Sequence, residues 1–217
     1  MSRLRTGLRA LMYGYVIRVF PVVSLAGFVV SAYGWFRLYQ WFKSRALIVA
    51  LVGVLAVIVL NVALALTPSQ QVAGLKENMT SSEMADALVA LENQLESPLT
   101  VVTVVVPSIG LLFESTGLIL LRKLYSGRPP LVAPALLIAY SLLLLAPLVY
   151  LPWIEAGIRS VRESLLNGSL NTTTALSSLG QLYLPFNIVE FAVLFTSLLA
   201  YIVLAYFFYN MSRSVEE

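Results

Sequence analysis

Residues 98–123, PLTVVTVVVPSIGLLFESTGLILLRK, decide the class of this protein. Between Leu99 and Leu121 the only ionisable residue is Glu114, and the run closes on Arg122-Lys123. At helical pitch Thr103, Pro107, Gly110, Glu114 and Gly117 fall within about 80° of one another. Bulky Val, Leu, Ile and Phe fill the rest of the circumference. A helix of this make turns its large side to lipid and its small, polar stripe to neighbouring helices.

The rest of the chain agrees. Hydrophobic residues make up 59% of the sequence and charged residues 12%, with a mean hydropathy of +0.86. A soluble domain carries about 25% charged residues, so this composition cannot cover a water-facing surface. Five runs approach the ~20 residues needed to cross a hydrocarbon layer: 14–36, 46–66, 99–121, 131–151 and 185–209. Pro68, Pro98, Pro129-Pro130, Pro152 and Pro185 read as boundaries. Tyr33, Trp35, Tyr39, Trp41, Tyr125, Tyr150, Trp153 and Tyr183 read as an aromatic belt near the span ends. The expectation is an all-α polytopic membrane helix bundle, a single integral membrane domain over residues 1–217. About five transmembrane helices are joined by two amphipathic extramembrane or interfacial helices on one face. The expected location is the cell membrane.

The two long connections carry those amphipathic helices. In 80–96, Thr80 and Glu83 have capping-box spacing, and Met84, Leu88, Leu91 and Leu95 recur on one face. In 153–166, Ile154, Ile158, Val161 and Leu165 do the same before Asn167-Gly168 stops the run. One reading lays both helices flat on the membrane. The other packs them into a small cap, with Arg159 and Arg162 meeting Glu83, Asp86 or Glu92.

The short loops 37–45 and 122–130 carry Arg37, Lys43, Arg45, Arg122, Lys123 and Arg128 and no acid, which favours the cytoplasm for them. A first span at 14–36 then places Arg3, Arg5 and Arg9 on the opposite side, and the basic residues split evenly across the membrane; the alternatives are an inverted protein, or an N-terminal stretch lying along the inner interface with 20–36 re-entrant. The unit of basic loop, span, amphipathic helix and span occurs twice, an arrangement also seen in transporters.

Three ionisable residues fall within these spans, where a charge costs about 2.5–3.5 kcal/mol at the centre of an inserted helix: Arg18, Glu114 and Glu190. Asn187, Glu190, Ser197 and Tyr201 line one stripe of the last span. Arg18 and Glu190 lie at matching depth, so either they pair or Arg18 snorkels to the interface. Glu114 has no charged residue at its own depth and is expected to be a neutral, hydrogen-bonded carboxyl. The candidate ion- or proton-binding residues are Glu114, Glu190, Arg18, Asn61, Asn187, Thr103 and Tyr201.

The chain has no Cys and no His. That excludes disulfides, thiol chemistry, imidazole-held metals and Ser–His or Cys–His nucleophile pairs, and it fits a thermophilic source. No cofactor, metal or nucleic-acid partner is expected, and no enzymatic activity; a lipid-handling enzyme is the least favoured class. Partners are the lipid bilayer and either other membrane subunits or further copies of this chain. Residues Leu184 to Glu190 resemble the Leu-Pro-His-Gly-Ile-x-Glu stretch of the stage II sporulation protein M family over seven positions, without its His and Gly. That resemblance carries no function across. The residues themselves favour a transport or translocation component using an intramembrane carboxylate, with a non-catalytic accessory or scaffold subunit as the alternative.

Overall fold

The computed structural model describes residues 2–66, 75–76, 78–124 and 131–215. The boundary and belt readings at Pro68, Tyr125, Pro129 and Pro130, and the charge at Arg128, lie outside them. Every regular element among the described residues is helical: α1 (Ser2–Arg18), a 3₁₀ turn (Pro21–Val23), α2 (Ser24–Phe42), α3 (Ala46–Leu66), α4 (Ser81–Leu95), α5 (Pro98–Leu124), α6 (Val132–Leu166) and α7 (Thr172–Ser214). Five helices are long and apolar enough to cross a membrane: Pro21–Phe42, Leu47–Leu66, Pro98–Arg122, Val132–Leu166 and Thr172–Ser214.

The first expected span, 14–36, is not one helix. It is broken at 19–23, and the two halves fold back on each other. The cause is local. Proline disfavours helical geometry in the residue before it, and Phe20, before Pro21, is extended at φ −100°, ψ 108°. The chain then restarts as α2. Leu4, Leu8, Leu11, Tyr15 and Arg18 repeat at helical spacing and are all buried. Against them α2 presents Gly27, Ser31, Gly34 and Leu38, also buried. The pairing is antiparallel. A Cβ at Gly14 would lie 3.0 Å from the Gly27 carbonyl oxygen, and one at Gly34 would lie 3.0 Å from that of Gly7. These glycines allow backbone-to-backbone approach.

Two other boundaries shift. Pro152 lies inside α6, which runs on through the expected amphipathic segment 153–166. Pro185 lies inside α7, which starts at Thr172, well before the expected 185. The stop at Asn167-Gly168 is as expected. Gly168 takes φ +71°, and the Gly168 and Ser169 N–H groups donate to Leu165 and Ser164 carbonyls in a Schellman turn. Asn171 then caps α7 through Oδ1, which accepts from the Thr174 N–H at 2.8 Å.

Contacts divide the chain into two units: 1–67, 105–144 and 193–217 in one, 68–104 and 145–192 in the other. The first is built on the α1–α2 hairpin, α3, and parts of α5, α6 and α7. Its core includes Leu8, Leu11, Tyr15, Trp35, Leu47, Leu118, Leu121, Leu137, Leu204 and Phe208. Within it α3 and α5 meet at Gly53 and Gly110, where a Cβ on Gly53 would lie 2.6 Å from the Gly110 carbonyl oxygen. Ser115 and Ser141 Oγ tie α5 to α6 by donating to the Pro134 and Ser108 carbonyls at 3.0 and 2.8 Å. The α5 stripe therefore faces helices, as its sequence suggests, while Ile109, Phe113 and Ile119 are exposed.

The second unit packs α4 against the later part of α6 and the start of α7 around Met84, Leu88, Ile154, Ile158, Val161, Leu165, Ala175 and Leu179. The capping box forms in full: Thr80 Oγ1 accepts from the Glu83 N–H, and the Glu83 carboxylate accepts from the Thr80 N–H. Arg162 Nη1 donates to Glu92 Oε2 at 2.6 Å, and Arg159 approaches Glu92 and Glu96 at 3.8 and 3.6 Å. Of the three acids expected to meet these arginines, Glu92 does so. Their partners are on α4 and at its C-terminal cap, and the apolar faces of both amphipathic segments are covered by each other and by α7.

Candidate functional site

Glu114 is not an unpartnered acid. Arg18, at the end of α1, reaches it with both terminal nitrogens: Nη1 to Oε2 at 2.6 Å and Nη2 to Oε1 at 3.1 Å. Tyr15 OH and Trp35 Nε1 also donate to Oε1, at 3.0 and 3.1 Å. Four donors thus converge on one carboxylate, which offers about four acceptor positions. Arg18 is 3% exposed and Glu114 1%. Arg18 therefore neither snorkels to the interface nor pairs with Glu190, the two outcomes its sequence position offers, and Glu114 has a basic neighbour where its depth suggested none.

The hairpin explains the change. On one continuous helix Arg18 would face away from Ser24, Gly27, Ser31 and Gly34. The break at Pro21 folds α1 onto that same stripe, and the Arg18 stem packs on Gly27, where a Cβ would lie 2.8 Å from Arg18 Cγ. Helical side chains lean toward their own N-terminus, so Arg18 extends back along α1 toward Tyr15, one turn away, and into the bundle.

Aromatic rings complete the enclosure. The Arg18 guanidinium lies 3.9 Å from the Phe28 ring centroid, 4.8 Å from that of Tyr15 and 5.9 Å from that of Tyr201. Tyr15 stacks on Phe208 at 5.7 Å, and Trp35 meets Phe208 edge-on at 6.3 Å. Ring faces are attractive to a desolvated cation, and excluding water strengthens every charge–charge contact inside. Two polar atoms are left over: Arg18 Nε and Ser31 Oγ are buried with no hydrogen-bond partner among the described residues.

Of the seven candidate residues the structure assembles three: Arg18, Glu114 and Tyr201. Glu190 and Asn187 are exposed on α7. Asn61 is exposed and returns its side-chain N–H to the Val57 carbonyl at 2.8 Å. Thr103 donates to the Thr100 carbonyl at 2.8 Å within its own helix. Neither joins the cluster. Tyr15, Phe28, Trp35 and Tyr140 belong to the site or its wall and escaped the sequence reading; Trp35 reads as a belt residue but is fully buried. The signal for Tyr15 was present in the Leu4-Leu8-Leu11-Tyr15-Arg18 spacing.

Comparison with protein-family models, with curated proteins and with solved structures finds no match to this chain.

Proposed function

We propose that this chain is a non-catalytic accessory or scaffold protein of the cell membrane, and that Arg18–Glu114 is the clamp that closes its N-terminal hairpin onto the bundle. The observation that carries this reading is the donor set. Every group directed at Glu114 is a hydrogen-bond donor, two from Arg18 and one each from Tyr15 and Trp35. A site that takes up and releases a cation needs an acid that is free in one state, whereas this acid is committed to a neighbouring helix. Asn187 and Glu190, exposed beside Ile188 and Phe191 on α7, are polar groups that a partner subunit can reach.

The second reading, a transport or translocation component, draws on the acceptorless Arg18 Nε and on Tyr201, which contacts Tyr140 edge-to-face at 5.8 Å. A row of hydroxyls beside a buried charge is a route by which water reaches a pair. Both readings are tested in proteoliposomes. For the scaffold, the purified chain passes no protons or monovalent cations above the empty-vesicle rate, and crosslinking in native membranes recovers a stoichiometric membrane partner. Flux that Glu114→Gln abolishes, with the variant still folded, would overturn the scaffold reading in favour of transport.

A further inference from the structure

Because the hairpin turns α1 back, the basic residues of the first unit gather at one end. Gly7 packs against Leu38 and Gly34, so α1 begins where α2 finishes. Gly117 packs against Ala50 and Trp35, so α5 finishes where α3 begins and at the level of late α2. Trp35 contacts Phe208, which brings the end of α7 to the same level. Arg3, Arg5 and Arg9 therefore join Arg37, Lys43, Arg45, Arg122 and Arg213. The even split expected from an unbroken first span does not occur. Glu114 is the only acid among the described residues of this unit, and Arg18 holds it.

An aromatic band accompanies the cations. Tyr33, Phe36, Trp41 and Tyr209 are exposed. Arg37 lies 5.8 Å from the Tyr33 ring and Arg213 5.9 Å from the Tyr209 ring. Along α1 the outward face changes from Arg3, Arg5 and Arg9 to Tyr13, Val16 and Phe20, so it passes from a charged layer into an apolar one. Exposed aromatics beside cations at the ends of apolar helices match the headgroup layer of a bilayer.

We infer that this basic end is a binding surface for the headgroups of anionic phospholipids, and that it faces the cytoplasmic leaflet, with the N-terminus inside. Anionic lipid is the occupant because the cations sit at the aromatic level, within reach of lipid phosphates, and because cytoplasmic leaflets carry the negative surface potential. Arg3, Arg37, Lys43, Arg45, Arg122 and Arg213 carry the argument.

Trp41 stands in this band and reports on it. Tryptophan emission of the full-length protein is followed in vesicles where either phosphatidylglycerol or phosphatidylcholine has brominated, quenching chains. The expected result is about fivefold enrichment of phosphatidylglycerol over phosphatidylcholine near Trp41. The preference should fade at ~1 M salt, where screening acts within about 3 Å, and fall in both R3Q and K43Q/R45Q. Trp41→Phe should remove the differential signal. Equal quenching by the two lipids at low salt, or a preference unchanged by salt, would overturn the proposal, as would an acidic protein held by this end without lipid preference. Sidedness is read independently in the Cys-free chain. Ser44→Cys should resist an impermeant maleimide in intact cells and react after permeabilisation; reaction in intact cells would overturn the orientation.

Discussion

Arg18–Glu114 in the first unit and Arg162–Glu92 in the second both close to 2.6 Å, yet their surroundings differ. The first pair lies under Phe28, Tyr15 and Tyr201, and both side chains are shut from solvent. The second lies at the margin of a small apolar core, with the Arg162 side chain 23% exposed and Arg159 at 55% competing for the same carboxylate. Distance alone says they are equal. Burial says they are not, because losing one member of a sealed pair leaves an uncompensated charge in a medium that cannot solvate it. A pair at a surface is replaced by water at little cost.

The largest expected effect follows from that contrast. Arg18→Met should destabilise the detergent-solubilised protein by about 3–5 kcal/mol, measured by thermal or denaturant unfolding, with little dependence on salt. A loss below about 1 kcal/mol would show that the cage is open to water. Next is the close approach that lets the first unit exist at all. Gly53→Ala places a methyl 2.6 Å from the Gly110 carbonyl oxygen and 2.7 Å from Phe113 Cβ, so α3 and α5 must separate. Overpacking of this kind costs about 1–3 kcal/mol; an unchanged melting temperature would contradict the packing described.

In the second unit Arg162→Gln should cost about 1 kcal/mol, between the values for exposed and desolvated pairs, and the cost should shrink as salt rises. A salt-independent loss as large as that of Arg18→Met would erase the contrast between the units. The smallest effect belongs to the α4 cap. Hydrogen bonds from the Thr80 N–H and hydroxyl hold the Glu83 carboxyl below its usual range. A carboxyl lowered on folding contributes stability above its unfolded value and loses it as pH falls through the folded one. Amide exchange in the first turn of α4 should therefore quicken with acidification below the usual carboxylate range, after correction for intrinsic rates; Thr80→Ala, which keeps the backbone N–H, should weaken the dependence and Glu83→Gln should abolish it.

The contrast also shows what a linear reading reaches. The second unit was largely legible: the capping box, the repeat from Met84 to Leu95 and the stop at Asn167-Gly168 follow from local spacing, while Glu92, seventy residues from Arg162, was one of three acids within one of two readings. Pro152 and Pro185 misled as boundaries, because a proline inside a long apolar helix removes one donor without ending the helix where neighbours satisfy the backbone. In the first unit the apolar runs were legible and the site was not. Val19-Phe20-Pro21-Val22-Val23 is as apolar as its flanks, so hydropathy does not show that the chain reverses there, and Val22 is 97% exposed at the tip. Once that reversal is missed, Arg18 has the wrong phase, and Arg3, Arg5 and Arg9 are placed at the far end of a single helix from Arg37, whereas the start of α1 packs beside the end of α2. Glu114, ninety-six residues from Arg18, then reads as solitary.

The most direct test of the clamp is a double-mutant cycle of Arg18→Met, Glu114→Gln and both together, read as unfolding free energy in detergent. Gln keeps a carbonyl for Tyr15 and Trp35, and the pair of changes removes both buried charges at once. The expected result is that each single change is severely destabilising while the double variant loses clearly less than the sum of the two, by a coupling of about 2–3 kcal/mol. Single losses that simply add would contradict the account: Arg18 and Glu114 would then stabilise the fold independently, and no clamp would join the hairpin to the bundle.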